Sequence, residues 1–282
     1  MTYLRTSLAT FATLAAGSIT AQADWSLAGF DMPESAVFDP QHNHVIISQI
    51  IGHPGQADGK GGLALVSPDG EMIDADWVTG LNAPKGFALV GDEILVADLT
   101  QLHVIDRGTG EIKQSITAPG AVFLNDVTAD DSTAYISDMM AHTIWRYEAG
   151  QAELWLEDAV LSHPNGVLID GDALIVGSWG AGMRDDFSTE VKGSLLSIDL
   201  GSKAIDTLVP ELANLDGVVR MGEHLFVNDW ITGELFQVSD AGEVTPVETY
   251  PAGLADIAAY GETLYLPLMF DGVVQAVTLG DQ

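Results

Sequence analysis

The sequence predicts an all-β fold, a six-bladed β-propeller with four-stranded blades, and two observations predict it. A short phrase that sets one polar residue directly before an apolar run occurs six times. We call these polar positions the lead residues, and they are Glu34, Lys85, Asn125, Asn165, Asp216 and Asp256. Successive lead residues lie 51, 40, 40, 51 and 40 positions apart. A period near 40 residues in strand-forming sequence is typical of a propeller blade.

Each lead residue opens a repeated pair of strands. In the third copy, Asn125 precedes an apolar run, and residues 134–138 return after a turn as a second, largely apolar strand. Third and fourth strands follow in most copies. After Val277 the chain has no room for a fourth strand, so residues 25–30 are predicted to close the last blade and to hide its edge.

The first 23 residues have the features of a signal peptide. Arg5 supplies a positive charge, residues 6–20 are mostly apolar, and residues 21–23 match an A-x-A cleavage site. The apolar stretch is shorter than the roughly 20 residues that span a membrane, so membrane insertion of the mature chain is not expected, and an uncleaved anchor is the alternative. We therefore expect one domain, residues 24–282, in the periplasm or secreted. With no cysteine, this domain must depend on its core.

The composition is strongly acidic, with 41 acidic and 10 basic residues and a formal charge of −31. This sign excludes nucleic acid as a partner and disfavours anionic membrane surfaces. It indicates either a soluble acidic surface or an attraction for cations. A small-molecule substrate is the expected partner, and the oligomeric state is not readable from the sequence.

Extra residues in the two longer repeats lie at 51–60 and 180–190. An antiparallel strand pair begins and ends at the same face of the ring, so both insertions should emerge beside the lead residues. Blades one and four lie opposite each other in a six-fold ring, which predicts two opposed walls over the channel mouth. Trp179 and Trp230 follow inner strand pairs and are candidates for such a wall, with packing between blades as the alternative.

The lead residues begin the innermost strands, so their side chains should converge near the channel axis. Glu34, Asn125, Asn165 and Asp216 offer only oxygen ligands. Such a set suits a hard divalent cation, Ca²⁺ before Mg²⁺ or Mn²⁺, whereas zinc is disfavoured because cysteine is absent and the ring has no histidine. The alternative is that Asn and Asp recur at strand entries because their side chains bond local backbone.

These phrases resemble the SMP-30/gluconolactonase/LRE-like family of six-bladed propellers over nearly the whole mature chain. The resemblance implies one Ca²⁺ held by residues that match Glu34, Asn125, Asn165 and Asp216. It also implies hydrolysis of lactones or related esters, with the cation polarising the carbonyl and a carboxylate activating water. By the same resemblance, Asp216 is the base and Asp126 is a carboxylate that orients the ligands.

Two positions depart from the family pattern. Phe123 stands where the gluconolactonase branch carries an arginine for sugar hydroxyls, so a sugar lactone is not the expected substrate. Lys85 stands where paraoxonase-like relatives carry a histidine. A lowered pKa would make Lys85 a catalytic base, and an ion pair with Glu34 or Asp256 is the alternative.

The sequence thus predicts a secreted, metal-dependent hydrolase of lactone or ester type. A non-catalytic propeller that binds a small molecule or protein around a structural metal is the alternative. A lyase-like propeller without metal is a third possibility.

Overall fold

Six antiparallel sheets, each of four or five strands, form the blades of a propeller, as predicted. The computed structural model describes residues 21–279. The first described strand is β1 (Ala21–Ala28). Blades one to three then follow in chain order. They contain β2 (Pro33–Asp39), β3 (His44–Gln49), β4 (Gly61–Val66) and β5 (Met72–Leu81); β6 (Pro84–Val90), β7 (Glu93–Asp98), β8 (Gln101–Asp106) and β9 (Ile112–Thr117); and β10 (Leu124–Ala129), β11 (Thr133–Asp138), β12 (Thr143–Glu148) and β13 (Gln151–Glu157).

Blades four to six repeat this order, with one short additional strand in blade four. They contain β14 (Pro164–Asp170), β15 (Ala173–Ser178), β16 (Gly180–Ala181), β17 (Val191–Asp199) and β18 (Ile205–Ala213); β19 (Leu215–Met221), β20 (His224–Asp229), β21 (Glu234–Val238) and β22 (Val244–Thr249); and β23 (Ala258–Tyr260), β24 (Thr263–Leu268) and β25 (Val273–Leu279). Single 3₁₀ turns occur at Met139–Ala141, Ala159–Leu161 and Met269–Asp271. In the described part of the chain, none of the helices could cross a lipid bilayer.

The N-terminal strand closes the last blade, which confirms the prediction for this segment. β1 pairs with β25 from Ala21 opposite Leu279 to Ala28 opposite Val273. The strand begins four residues before the predicted position, so the proposed cleavage signature at residues 21–23 lies within it. The rest of the predicted signal peptide, residues 1–20, lies outside the described residues.

Six of the seven hydrophobic clusters in the described part of the chain lie between neighbouring blades, one at each of the six boundaries. Ile46 of blade one and Val96 of blade two share one such cluster. Val45 and Val274 share the cluster that joins the first blade to the last. Burying each side chain of this size contributes about 1.5–3 kcal/mol, so contacts between blades hold the ring closed.

A β-bulge occurs where the innermost strand of a blade begins. In five of the six blades described, the pairing of the first two strands shifts by one residue across the lead residue and its successor. The shifts lie between Pro33 and Ala36, Pro84 and Phe87, Leu124 and Val127, Pro164 and Val167, and Leu215 and Val218. A bulge places an extra, unpaired residue in one strand, which interrupts the regular alternation of side chains between the two faces of the sheet and redirects them. The lead side chains of these five blades therefore do not follow the regular alternation between the two faces of the sheet.

Three lead residues are followed by glycine because neighbouring inner strands approach closely there. A Cβ built on Gly166 would overlap the carbonyl oxygen of Asp216, and one on Gly217 would overlap the backbone nitrogen of Ile257. Neither glycine has a positive φ. These glycines are required by close packing at the axis rather than by a tight turn.

We therefore expect Gly166→Ala to destabilise the protein by at least about 2–3 kcal/mol, because a methyl group must displace backbone of the next blade. Gly201→Ala is the matched control, since Gly201 is exposed and its nearest neighbour to an added Cβ is 3.6 Å away. The control should change stability by less than about 0.5 kcal/mol. Urea unfolding of both variants measures the difference, and equal midpoints would contradict the packing argument.

Candidate functional site

A pocket of about 430 Å³ lies at the end of the ring where the inner strands begin. Five of the six lead residues line it, namely Glu34, Lys85, Asn125, Asn165 and Asp216. Both insertions also reach it, the first through Pro54 and the second through Asp186 and Phe187. The structure thus brings together side chains from blades one to five and places the two predicted walls at the same mouth.

Four carboxyl groups are buried around the pocket floor. They belong to Glu34, Asp126, Asp216 and Asp256, and none is more than 9% exposed. Lys85 is buried among them at 3% exposure. Burial followed by the charge of Asp126 raises the pKa of Asp216 to about 8. Burial raises the pKa of Asp126 to about 6. The floor therefore holds more negative charge than one ammonium can balance when all four groups ionise.

Glu34 carries an oxygen that no protein donor satisfies. Glu34 Oε2 is buried and, among the described residues, has no hydrogen-bond partner. Burial first, and the neighbouring Asp216 second, raise the pKa of Glu34 well above its usual range, while Lys85 opposes that rise. An unsatisfied buried acceptor costs about 1–3 kcal/mol. Both observations point to a positive charge or a proton that belongs beside this carboxylate.

The two asparagines have amide nitrogens that are already engaged. The Asn165 side chain donates to the Asp216 carboxylate. Asn125 Nδ2 lies 3.6 Å from the sulfur of Met139. Because each amide directs its nitrogen to a protein acceptor, its carbonyl oxygen is left to face a different group. Both residues line the pocket.

Asp126 and Asp256 are not among the residues that line the pocket, and each joins two blades. Asp126 accepts hydrogen bonds from the backbone nitrogens of Val127 at 2.6 Å and Val167 at 2.7 Å. Val167 follows the Asn165-Gly166 phrase, so Asp126 holds the start of the neighbouring blade. Asp256 accepts a 2.7 Å hydrogen bond from Ser35 Oγ and joins the last blade to the first.

Lys85 is bonded to backbone rather than to a carboxylate. Its Nζ donates to the carbonyl oxygens of Ala83 at 2.9 Å and Pro54 at 3.3 Å, and it lies 4.5 Å above the Phe123 ring. Within residues 21–279, the ion pairs closer than 4.0 Å do not include Lys85 with Glu34 or Asp256. Burial lowers the pKa of Lys85, although Glu34 and Asp98 partly offset that effect. Lys85 therefore attaches the first insertion to the pocket floor.

A set of aspartates that was not predicted from the sequence accepts hydrogen bonds from the backbone just before three lead residues. Asp98 accepts hydrogen bonds from the backbone of Asn82 and Ala83, and Asp138 does the same for Val122 and Phe123. Asp229 likewise accepts from Asn214. The signal was present, because an aspartate stands thirteen positions after Lys85, Asn125 and Asp216. These carboxylates position the strand entries that carry the pocket residues.

Aromatic side chains form much of the pocket wall. Trp179 and Trp230 both line it, with ring centroids 5.6 Å apart, and Trp230 also packs edge-on against Phe270 at 4.9 Å. The indole nitrogen of Trp179 donates to the carbonyl oxygen of Phe187, which fixes the second insertion over the pocket. Phe123 also lines the pocket. Both tryptophans thus line the pocket and also pack against each other between blades four and five, so both roles considered from the sequence are present.

A second cluster of metal-ligand types lies at the other end of β2. Asp39, His42 and His44 place one ligand atom each within 4.8 Å of one another. Arg107 already binds both Asp39 oxygens, at 2.6 and 3.0 Å, and His42 Nδ1 lies 2.8 Å from Oδ2. The pKa of Asp39 is consequently lowered despite its burial. This arrangement has the character of an ion-pair network.

The buried floor predicts a stability that falls with rising pH in protein freed of divalent cations by chelator. The pKa of Asp216 is raised to about 8, so the folded state holds a proton that the unfolded chain loses near pH 4. The stabilisation that this proton contributes is fully present below pH 4 and is lost as the pH rises through about 8. We expect Asp216→Asn to flatten this decline, as measured by urea unfolding at pH 5 and pH 8. A wild-type slope that persists in the variant would contradict this assignment.

No family model and no curated protein matches the chain. Solved structures do resemble it. A gluconolactonase from Xanthomonas campestris is 14% identical over 93% of this chain and 90% of its own, with a TM-score of 0.69. Virginiamycin B lyase from Staphylococcus aureus is 14% identical over 93% of this chain and 100% of its own, with a TM-score of 0.64. A chain of a nidogen–laminin complex is 18% identical over 76% of this chain and 79% of its own, with a TM-score of 0.59. At these identities the likenesses show the fold alone.

Proposed function

We propose that the protein is a secreted, Ca²⁺-dependent hydrolase of lactones or carboxylic esters, related to the SMP-30/gluconolactonase/LRE-like propellers. The observation that carries the proposal is the meeting of Glu34, Asn125, Asn165 and Asp216 in one pocket, with Glu34 Oε2 lacking a donor. The likeness to a gluconolactonase structure supports the reaction class, and the likeness to a lyase supports an enzyme more generally.

The donor set at the pocket floor fits a hard divalent cation. Glu34 and Asp216 offer carboxylate oxygens, and Asn125 and Asn165 offer amide carbonyl oxygens. Ca²⁺ accepts such mixed oxygen ligands in flexible geometry, whereas Mg²⁺ requires a stricter octahedron; Mg²⁺ and Mn²⁺ are the alternative ions. A cation would also satisfy Glu34 Oε2 and offset the surplus of buried negative charge. Bound Ca²⁺ supplies a Lewis acid that polarises a carbonyl and stabilises negative charge developing on its oxygen.

Asp216 is the residue best placed to accept a proton from water. It lines the pocket, and a cation bound beside it would offset the burial that raises its pKa, which keeps the carboxylate ionised and able to accept a proton. The Asn165 amide donates to its carboxylate and so orients it. Asp126 acts through the backbone that it holds at Val167 rather than by touching substrate. Lys85 provides a buried ammonium whose lowered pKa also permits proton transfer.

A non-catalytic propeller with a structural cation is the second candidate. The likeness to a chain of a nidogen–laminin complex favours it, because that protein is known in complex with another protein. The two candidates are distinguished by turnover of a bound ester. In either case a cation that binds only the folded chain would stabilise the fold.

The test measures hydrolysis of a panel of lactones and aryl esters by the mature protein with Ca²⁺, with chelator, and after Ca²⁺ is restored. We expect chelator to abolish hydrolysis and added Ca²⁺ to recover it. Asp216→Asn and Glu34→Gln should each lower kcat/KM by about 100-fold or more, since one loses the base and both lose a ligand.

Asp131→Asn is the matched control, because Asp131 is exposed in a hairpin remote from the pocket lining. It should leave kcat/KM unchanged. Ca²⁺-dependent stability without turnover of any ester would favour the binding protein. Undiminished turnover after complete removal of divalent cations would refute the proposed function.

A further inference from the structure

The pocket has two chemically different parts. Charged and amide side chains occupy its floor, where the lead residues converge. Its walls are largely apolar, and five of their side chains are aromatic, namely Phe123, Trp179, Phe187, Trp230 and Phe270. A ligand whose reacting group reaches the floor must therefore place the rest of its atoms against apolar side chains.

The walls carry few polar groups, and these make hydrogen bonds within the protein. Asp186 Oδ1 accepts from Ser188 Oγ at 2.6 Å and from the Ser188 backbone nitrogen at 3.1 Å. The Trp179 indole nitrogen donates to the carbonyl oxygen of Phe187 at 2.8 Å. A hydroxylated ligand would lose its hydrogen bonds to water and find few replacements on these walls. Each hydroxyl group left without a partner would weaken binding by about 1–3 kcal/mol.

Exposed aromatic area is concentrated at the pocket mouth. Phe270 is 59% exposed and Phe187 is 40% exposed, and both line the pocket. Trp230 lies between them, with ring centroids 4.9 Å from Phe270 and 6.3 Å from Phe187. Exposed apolar side chains that adjoin one concave site are typical of a surface that binds an apolar ligand.

Charge restricts the ligand further. The chain has a formal charge of −31, which repels anions before they reach the mouth. At the floor, the buried carboxylates of Glu34, Asp126, Asp216 and Asp256 outnumber the Lys85 ammonium. A divalent cation would bring this balance close to neutrality without leaving a net positive charge for an anionic substituent.

We infer that the substrate is an uncharged lactone or ester that carries an alkyl or aryl group, and that this group packs between Phe187, Trp230 and Phe270. The inference rests on the proposed function for the reacting carbonyl, whereas the choice of an apolar group rests on the walls. A cavity of about 430 Å³ falls within the range of small-molecule sites and accommodates such a group together with the ring that reacts.

The test uses Ca²⁺-loaded protein and γ-lactones with methyl, butyl or octyl side chains, with glucono-δ-lactone as the polyhydroxylated comparison. From methyl to butyl, we expect kcat/KM to rise about fourfold per methylene, the factor that about 0.8 kcal/mol gives. The polyhydroxylated lactone should be the poorest substrate. The double variant Phe187→Ala with Phe270→Ala should reduce the butyl-to-methyl ratio by about tenfold.

Tyr260→Ala is the matched control, since Tyr260 is 49% exposed but is not among the residues that line the pocket. It should leave the ratio unchanged. All three truncated rings are largely or partly exposed, so these variants are expected to fold, and thermal unfolding verifies this.

Binding is measured separately with the corresponding γ-lactams, which resist hydrolysis, through the fluorescence of the pocket tryptophans Trp179 and Trp230. Affinity that rises with chain length and falls in the double variant supports the apolar ligand class, even if every lactone resists turnover, in which case only the proposed reaction fails. Turnover or binding that is indifferent to chain length, or strongest for the polyhydroxylated compound, would overturn the inference.

Discussion

The close approach of the inner strands at the channel axis is the constraint on which the rest of the structure depends. Each of five strands begins with a bulge, and the glycines that follow lead residues leave space for the next blade. Side chains of the second strands secure this geometry, since Ser48, Ser137 and Asn228 accept the backbone N–H that follows a lead residue. Because the bulges redirect side chains that would otherwise alternate, polar groups from five blades reach one pocket.

That geometry concentrates charge in a place that water does not solvate. Burial raises the pKa values of Glu34, Asp126, Asp216 and Asp256, while Lys85 is the cation that the protein itself provides there. A folded chain does not retain several buried carboxylates without protons, cations or hydrogen bonds to offset them. Without a bound cation, the buried carboxylates at the floor therefore destabilise the folded protein, and their charge suits a divalent cation. The walls, which come from face loops rather than strands, contribute the opposite chemistry and set which organic group can approach.

Most of the fold was predictable because each blade repeats the same pattern of polar and apolar residues in the sequence. Six polar residues before apolar runs marked the inner strands, and the missing outer strand after Val277 indicated closure by the N-terminal segment, found as β1. The details that position the site were not predictable in the same way. Asp98, Asp138 and Asp229 recur thirteen positions after a lead residue, but that spacing does not show that they accept hydrogen bonds from the preceding loop. The Lys85 ammonium contacts backbone carbonyls, which carry no signal in the side-chain sequence.

By itself, the sequence determined the number of blades, the residue types at the ring and the positions of the two insertions, because blade period and apolar patterning are local properties that repeat along the chain. Only the tertiary structure decided which oxygen atoms are buried without donors, which pKa values rise, and that aromatic rings from blades four to six pack together beside the pocket. The physical reason is that desolvation and hydrogen-bond satisfaction depend on atoms contributed by several blades at once. The sequence of one repeat therefore does not show which groups from other blades its lead side chain contacts at the channel axis.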